Sequence, residues 1–357
     1  MHHTVKRQIV AFRVVDGTSK IHEYRRSDDL DSLFYALGVS MGLLGIITAV
    51  TFQCVDRFDV AGIETTSSLE NCAIDLFGNG YGEHAGLETF FSTVDYSRVL
   101  WFPQPGVDKV IVWQANQVPA TKDPTYKPYR EFPAILGSEL PAQVLASVLF
   151  CIFDVLNPQA PHGSISKAFE PLLKPLYPAV VNTFLASAVL GPQHFSDTWW
   201  RGIPMDDRVN YNLLPTRFTE LWLPLSKTAE VMSDLRAHYH DNGYRAITTY
   251  ACEFYATLAN DFWLSPAYQQ DSFRVDPFWF APNRGDPDTV YFPQYWELLR
   301  KYNYRLHWGK SPLGDVEYLK VQYPRWDDFT HLRNQMDPHQ IFVTDYWRQH
   351  LGIAQSV

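Results

Sequence analysis

Three glycines, Gly38, Gly42 and Gly45, stand between a helix-patterned stretch and a run of β-branched residues, and they restrict the fold more than any other feature. Ser27 can cap the helix, Asp28 and Asp29 suit its first turn, and Leu30, Leu33, Phe34 and Leu37 recur at helical spacing. Gly38 ends it. Ile46 to Phe52 (IITAVTF) then reads as a strand, so the glycines form a turn where backbone passes close to something. Upstream, Gln8 to Val15 and Lys20 to Tyr24 flank the turn signal Asp16-Gly17 and predict a hairpin. Gly38-Val39-Ser40-Met41-Gly42 also spells the G-x-S-x-G of a nucleophile elbow. That elbow needs a strand before the serine and a helix after it, the reverse of the order here, so Ser40 is not read as a nucleophile.

The rest of the chain reads as α+β. Strands are expected at Val99 to Pro103, Lys109 to Gln114, Arg217 to Leu223, Thr248 to Tyr255 and Phe273 to Phe280, and helices at Glu83 to Phe91, Lys227 to Tyr239 and Gln294 to Tyr302. Gly78-Asn79-Gly80-Tyr81-Gly82 lacks the spacing of a dinucleotide fingerprint and reads as a loop. Between these lie two apolar runs. Val144 to Phe153 is shorter than the roughly 18 residues a membrane span needs, and Leu172 to Leu190 is interrupted by Lys174, Pro175, Pro178 and Asn182. A helical insertion over about 140–190, packed on its own domain or on a partner, is expected, with interfacial membrane attachment as the alternative.

Composition narrows the classes. Charged residues are 19% against 46% hydrophobic, which excludes a disordered chain. A net charge of -9 with no basic stripe argues against nucleic acid as a partner. Cys54, Cys72, Cys151 and Cys252 form no C-x-x-C pair, and His238 and His240 point to different faces of a helix, so no metal site is expected and a reducing compartment fits. No secretory h-region or transmembrane span is visible, which leaves a cytoplasmic or membrane-associated location.

Two places could carry chemistry. Alternation along Cys252-Glu253-Phe254-Tyr255 sets Glu253 and Tyr255 on one strand face, as solvated edge residues or as substrate ligands. Arg305-Leu306-His307-Trp308-Gly309-Lys310 gathers an imidazole, an indole and a cation around a glycine, either as structure or to polarise a substrate oxygen and balance a flavin anion.

These segments, in order, resemble the sugar-lactone and alditol oxidase branch of the vanillyl-alcohol-oxidase superfamily, typified by D-arabinono-1,4-lactone oxidases. The resemblance runs through Val39-Ser40-Met41-Gly42-Leu43-Leu44-Gly45-Ile46-Ile47-Thr48, Cys252-Glu253 with Asp261 to Pro266, His307-Trp308-Gly309-Lys310, and the tail Met336-Asp337-Pro338 to Asp345-Tyr346-Trp347. It implies the C-terminal part of a p-cresol-methylhydroxylase-type FAD-binding domain (1–57), a substrate or cap domain with a large antiparallel sheet flanked by helices (58–300), and a C-terminal segment returning to the flavin (301–357). It further implies that Ser40, Gly42, Gly45, Ile46, Ile47 and Lys310 bind the cofactor. Glu253, Tyr255, His307 and Lys310 would form the catalytic set.

The chemistry so implied is oxidation of a hydroxyl or lactol carbon by hydride transfer to flavin N5, with dioxygen or another acceptor taking the electrons. Two departures from the family matter. The first half of its FAD domain, with the phosphate-binding glycine loop and the flavin-linking histidine of many members, has no counterpart in this sequence, and His2 and His3 are not read as that link. FAD is therefore expected to be weakly held or absent in this chain alone, unless a separate chain supplies the missing half. Second, relatives carry an arginine two residues after the glutamate where this chain has Tyr255, which points to an alcohol, lactone or less polar substrate. The alternative is a flavin-free derivative that uses the cap-domain cavity for small-molecule binding or non-redox acid/base chemistry.

Overall fold

The computed structural model describes residues 8–355, apart from 105, 122–124, 133–136, 157–191, 205–208, 243–250, 284 and 311–314. The expected run Leu172 to Leu190, the start of the Thr248 strand, and His2 and His3 lie outside the described residues. Two compact units emerge: Arg57–Ala256 with Phe273–Tyr302, and His2–Asp56 with Thr257–Ser272 and Asn303–Val357.

The smaller unit begins with the expected hairpin. Strands β1 (Ile9–Val15) and β2 (Ile21–Arg25) pair antiparallel across a turn organised by Asp16. Its carboxylate accepts hydrogen bonds from the Thr18 amide at 2.8 Å, the Thr18 hydroxyl at 2.8 Å and the Lys20 amide at 3.0 Å, and meets His22 Nε2 at 2.6 Å. Although burial opposes it, these bonds hold the Asp16 carboxyl well below the usual carboxylate range. The following helix is shorter than its apolar spacing suggests, Leu33–Leu37, and is capped by Ser32 rather than Ser27. Strand β3 (Ile46–Phe52) then returns antiparallel to β1, giving a sheet in the order β2-β1-β3.

One face of that sheet builds the unit's core. Phe12, Val14, Phe34 and Leu37 join Leu43 and Leu44 of the glycine turn, Phe262 to Leu264, Trp308, and residues of the helices Val316–Gln322 and Trp326–Met336. The tail is tied in by polar bonds: the Gly17 amide donates to Met336 O at 2.7 Å, and Asp337 accepts from the Ile341 and Phe342 amides, both at 2.8 Å.

In the larger unit, β4 (Phe58–Ser68) is followed by three short strands, β5 (Ile74–Asp75), β6 (Gly80–Tyr81) and β7 (His84–Gly86), which form a small sheet in the order β5-β7-β6. The glycine-rich loop therefore contributes a strand, and the helix expected from Glu83 runs instead over Leu87–Thr93. Next come β8 (Tyr96–Phe102), β9 (Lys109–Pro119), the helix Leu140–Leu156, β10 (Gln193–Thr198), β11 (Thr216–Phe218), β12 (Leu221–Pro224), the helix Thr228–Asn242, β13 (Cys252–Thr257) and β14 (Ser272–Phe280). The single strand expected over Arg217 to Leu223 is thus two. Their sheet runs β10-β4-β9-β8-β13-β14-β12, with β11 on β14, and the described registers are antiparallel. Among the described residues no helix is long and apolar enough to cross a membrane.

Candidate active site

Each unit carries one part of the predicted constellation. In the smaller unit the chain turns through Met41 and Gly42 with positive φ (55° and 77°), and a Cβ on Gly42 would meet nothing within 4 Å. Gly45, at φ 130°, lies so close to β1 that a Cβ there would stand 2.3 Å from Val15 O. No other residue fits that approach. Ser40 is buried and its carbonyl accepts from the Leu43 amide at 2.9 Å, as befits a turn residue.

Beyond the turn the core face runs out. Ile47 pairs with Val14 and Val50 with Phe12, so both lie on the face that carries the core, yet they remain 38% and 37% exposed. Ile46, paired with Val15 on the other face, is 60% exposed. An edge strand that shows aliphatic side chains on both faces forms an apolar ledge beside the open ground at Gly42.

The His307–Lys310 turn is set in the same core. Trp308 is buried, donates its indole N–H to Leu264 O at 2.7 Å and packs on Tyr323 with ring centroids 5.0 Å apart. Arg305 braces it by donating to Gln322 O at 2.9 Å and Tyr268 O at 2.8 Å. The Gly309 amide donates to His307 Nδ1 at 3.1 Å, so a neutral His307 ring carries its proton on Nε2. Leu43 and Leu44 share that core with Trp308, which brings the glycine turn and the His307–Lys310 turn into one packed body.

The ledge fits a flat aromatic ring: an open place over a glycine, aliphatic side chains bared beside it, and a cation-bearing turn in the same unit. Of the residues that the resemblance assigns to the cofactor, Gly42, Ile46 and Ile47 offer open or exposed surface in this unit, which also carries Lys310.

In the larger unit, Glu253 is buried and Tyr255 half-buried on β13. Cys252 pairs with Trp101 on the opposite face, where Trp101 packs on Tyr239 of the helix Thr228–Asn242 at 5.2 Å between ring centroids. The Glu253 face is charged instead. Glu64 of β4 and Arg98 of β8 both pair with Trp113 of β9, and Tyr255 falls beside Arg98, one step on from the Phe254–Val99 pair. Arg98 donates to Glu131 at 2.6 Å and to the Tyr129 hydroxyl at 3.0 Å, which itself donates to Glu64 at 2.7 Å.

Burial works against the charge on Arg98, yet Tyr129, Tyr255, Glu131 and Glu253 hold its guanidinium well above the usual range. Burial also pushes the Glu64 carboxyl up, against the pull of Arg98. On β14, Arg274 meets Glu220 at 3.3 Å and Asp276 at 3.4 Å, and its guanidinium lies 4.4 Å from the Tyr255 ring centroid. Sequence reading missed Glu64, Arg98 and Arg274. The available signal was a charge inside an apolar strand pattern, as in Tyr96-Ser97-Arg98-Val99-Leu100-Trp101 and Phe273-Arg274-Val275.

Comparison with known proteins identifies relatives of the chain. The chain is 24% identical over 355 residues to the L-gulonolactone oxidase of Mus musculus, an alignment covering 97% of this chain and 69% of the relative. It is 23% identical over 347 residues to the L-gulono-1,4-lactone dehydrogenase of Mycobacterium tuberculosis, with the same coverage of 97% and 69%. The structure superposes on cholesterol oxidase from B. sterolicum with a TM-score of 0.66 at 14% identity, over 98% of this chain and 70% of that one. That likeness shows the fold, with its large antiparallel sheet. The family model for D-arabinono-1,4-lactone oxidase matches residues 165–350, more than half of the 357-residue sequence. With Glu253, Tyr255, His307 and Lys310 all inside the matched region, the chain belongs to the D-arabinono-1,4-lactone oxidase family of oxidoreductases.

Proposed function

We propose that this protein oxidises a CH–OH carbon of a sugar lactone or a related hydroxylated ring, with FAD as the hydride acceptor. The observation that carries this reading is the family match, which spans both the strand bearing Glu253 and the turn bearing Lys310. Relatives named as L-gulonolactone oxidase and L-gulono-1,4-lactone dehydrogenase support the substrate class. FAD, when bound, supplies the hydride acceptor, its ring held by Gly42, Ile46 and Ile47.

The chain's own residues do the remaining work. Glu253 accepts hydrogen bonds from substrate hydroxyls and fixes the ring, while the Tyr255 phenol donates to a substrate oxygen. The ammonium of Lys310 stabilises the charge that grows on the substrate oxygen as its proton leaves. His307, with Nδ1 engaged by the Gly309 amide, offers Nε2–H as a second donor.

The test uses the whole chain. In excess FAD the protein should show the perturbed spectrum of a bound flavin, and L-gulono- or D-arabinono-1,4-lactone should bleach it without air. A bound flavin that no lactone or polyol bleaches would overturn this reading. A protein that stays colourless in excess FAD yet binds a lactone would replace it with a flavin-free binding role.

A further inference from the structure

Two tryptophans stand in the open beside the outermost strand of the large sheet. Trp199 and Trp200 follow β10 directly, in the short helix Trp199–Gly202, and remain 41% and 48% exposed. Their ring planes meet at 88° with centroids 5.8 Å apart, so the two indoles form a corner. Each has a neighbour from the start of β4. The Phe58 ring lies 6.2 Å from that of Trp199 at 26° to its plane, and Arg57 Cζ lies 6.0 Å from the Trp200 centroid.

Polar groups adjoin this corner. Arg57 Nη2 donates to the Tyr126 hydroxyl at 3.0 Å, that hydroxyl donates to Asp59 Oδ2 at 3.3 Å, and the buried Asp59 Oδ1 lies 3.8 Å from Arg57 Nη2. The chain of contacts holds an exposed guanidinium beside Trp200, with N–H donors beyond the one given to Tyr126. Asp59 also offsets the charge of Arg57.

Size and charge decide what such a corner would take. At 41% and 48% exposure the two indoles offer roughly 200 Å², taking about 250 Å² for a whole aromatic side chain. A stable protein interface covers roughly 800 Å² on each partner, so the corner suits a small ligand better. An anion would compete with Asp59 for Arg57. A neutral pyranose meets both conditions: its axial C–H bonds lie against the electron-rich face of an indole, while its equatorial hydroxyls accept from Arg57. β-Glucopyranose carries all its ring substituents equatorially and so presents such C–H bonds on both faces.

We propose that the corner made by Trp199 and Trp200, with Arg57 at its side, is a binding site for a neutral pyranose of the β-glucoside type. It is separate from the face that bears Glu253, because β4, β9 and β8 lie between β10 and β13, about 19 Å of sheet at the usual strand spacing. Nothing in it depends on flavin, Glu253 or Lys310. A free glucoside and a residue of a β-glucan chain offer the same chemistry, and the experiment separates them.

The full chain is titrated by calorimetry with methyl β-D-glucopyranoside and with cellotetraose. Wild-type protein should bind with a Kd of about 1 mM or tighter. Equal affinities assign the free sugar, and a gain of tenfold or so for cellotetraose assigns the chain; either supports the site. Trp199→Ala and Trp200→Ala should each weaken binding at least about tenfold, and Arg57→Ala about threefold, with melting temperatures close to wild type. The milder Trp199→Phe and Trp200→Phe keep the fold and serve to assign two of the 11 indoles in fluorotryptophan-labelled protein. Those two fluorine resonances should move as sugar is added. Shifts confined to other indoles, undiminished binding by the alanine variants, or no binding of either sugar at about 20 mM overturns the inference. So does a corner that joins two copies of the chain or binds neutral lipid vesicles while ignoring both sugars.

Discussion

The two candidate regions, one in each unit, are built from opposite materials. The ledge of β3 is aliphatic, open, and made from consecutive residues of one segment. The Glu253 face is charged, closed, and assembled from strands separated by long stretches of chain, with Glu64, Arg98, Glu253 and Arg274 on four different strands. A flat cofactor ring asks mainly for area and shape, which a single apolar strand can supply. A hydroxylated substrate asks for directed donors and acceptors. Those hold their places only when each is braced by a neighbour, so they depend on the whole sheet.

If that contrast is right, the charged face should be the costlier to disturb. Arg98→Ala strips Glu64, Glu131 and the Tyr129 hydroxyl of a shared buried partner, and should lower the unfolding free energy by about 3–5 kcal/mol in urea titrations. Lys310→Met and Glu253→Gln should each cost about 100-fold in kcat/KM, equivalent to about 2.7 kcal/mol at the barrier, while leaving the melting temperature close to wild type. A collapse in stability instead would move either residue from chemistry to structure.

The smaller unit gives the gentler tests. Asp16→Asn removes a charged acceptor of several hydrogen bonds and should cost about 1–3 kcal/mol near pH 6. The folded Asp16 carboxyl titrates below its unfolded value of about 3.9, so its contribution is complete above that pH and is lost as pH falls below it. The gap between Asp16→Asn and wild type should therefore begin to narrow below about pH 4 and keep narrowing as the pH falls further. Ile47→Ser, on the ledge, should shift stability by no more than about 0.5 kcal/mol yet weaken FAD retention measurably. A large loss of stability there with unchanged flavin binding would make β3 ordinary core.

These differences also explain what the sequence could disclose. The hairpin, β3 and the crowded glycines were readable because their signals are local: turn chemistry, β-branching and a close approach that only glycine fits. The helix start was misplaced because Ser27 and Ser32 both satisfy the capping pattern, and only packing decides which one the helix uses. The early residues of the Glu83 helix were claimed by pairing in the small sheet, a tertiary preference over a local one. The contacts of Arg274 with Glu220 and Tyr255 could not be read from the sequence. Alternation along β14 puts Arg274 and Asp276 on one face, but Glu220 just before β12 and Tyr255 on β13 reach Arg274 only through strand pairing, which local spacing does not reveal.

The bare strand β3 also has a thermodynamic consequence. Any ligand that lies on it recognises the folded chain and not the unfolded one, so occupancy and stability are the same measurement. A cofactor present at a hundred times its dissociation constant would add about 2.7 kcal/mol to the folded state. A melting curve recorded against flavin concentration would then report the affinity of the ledge before any substrate is known.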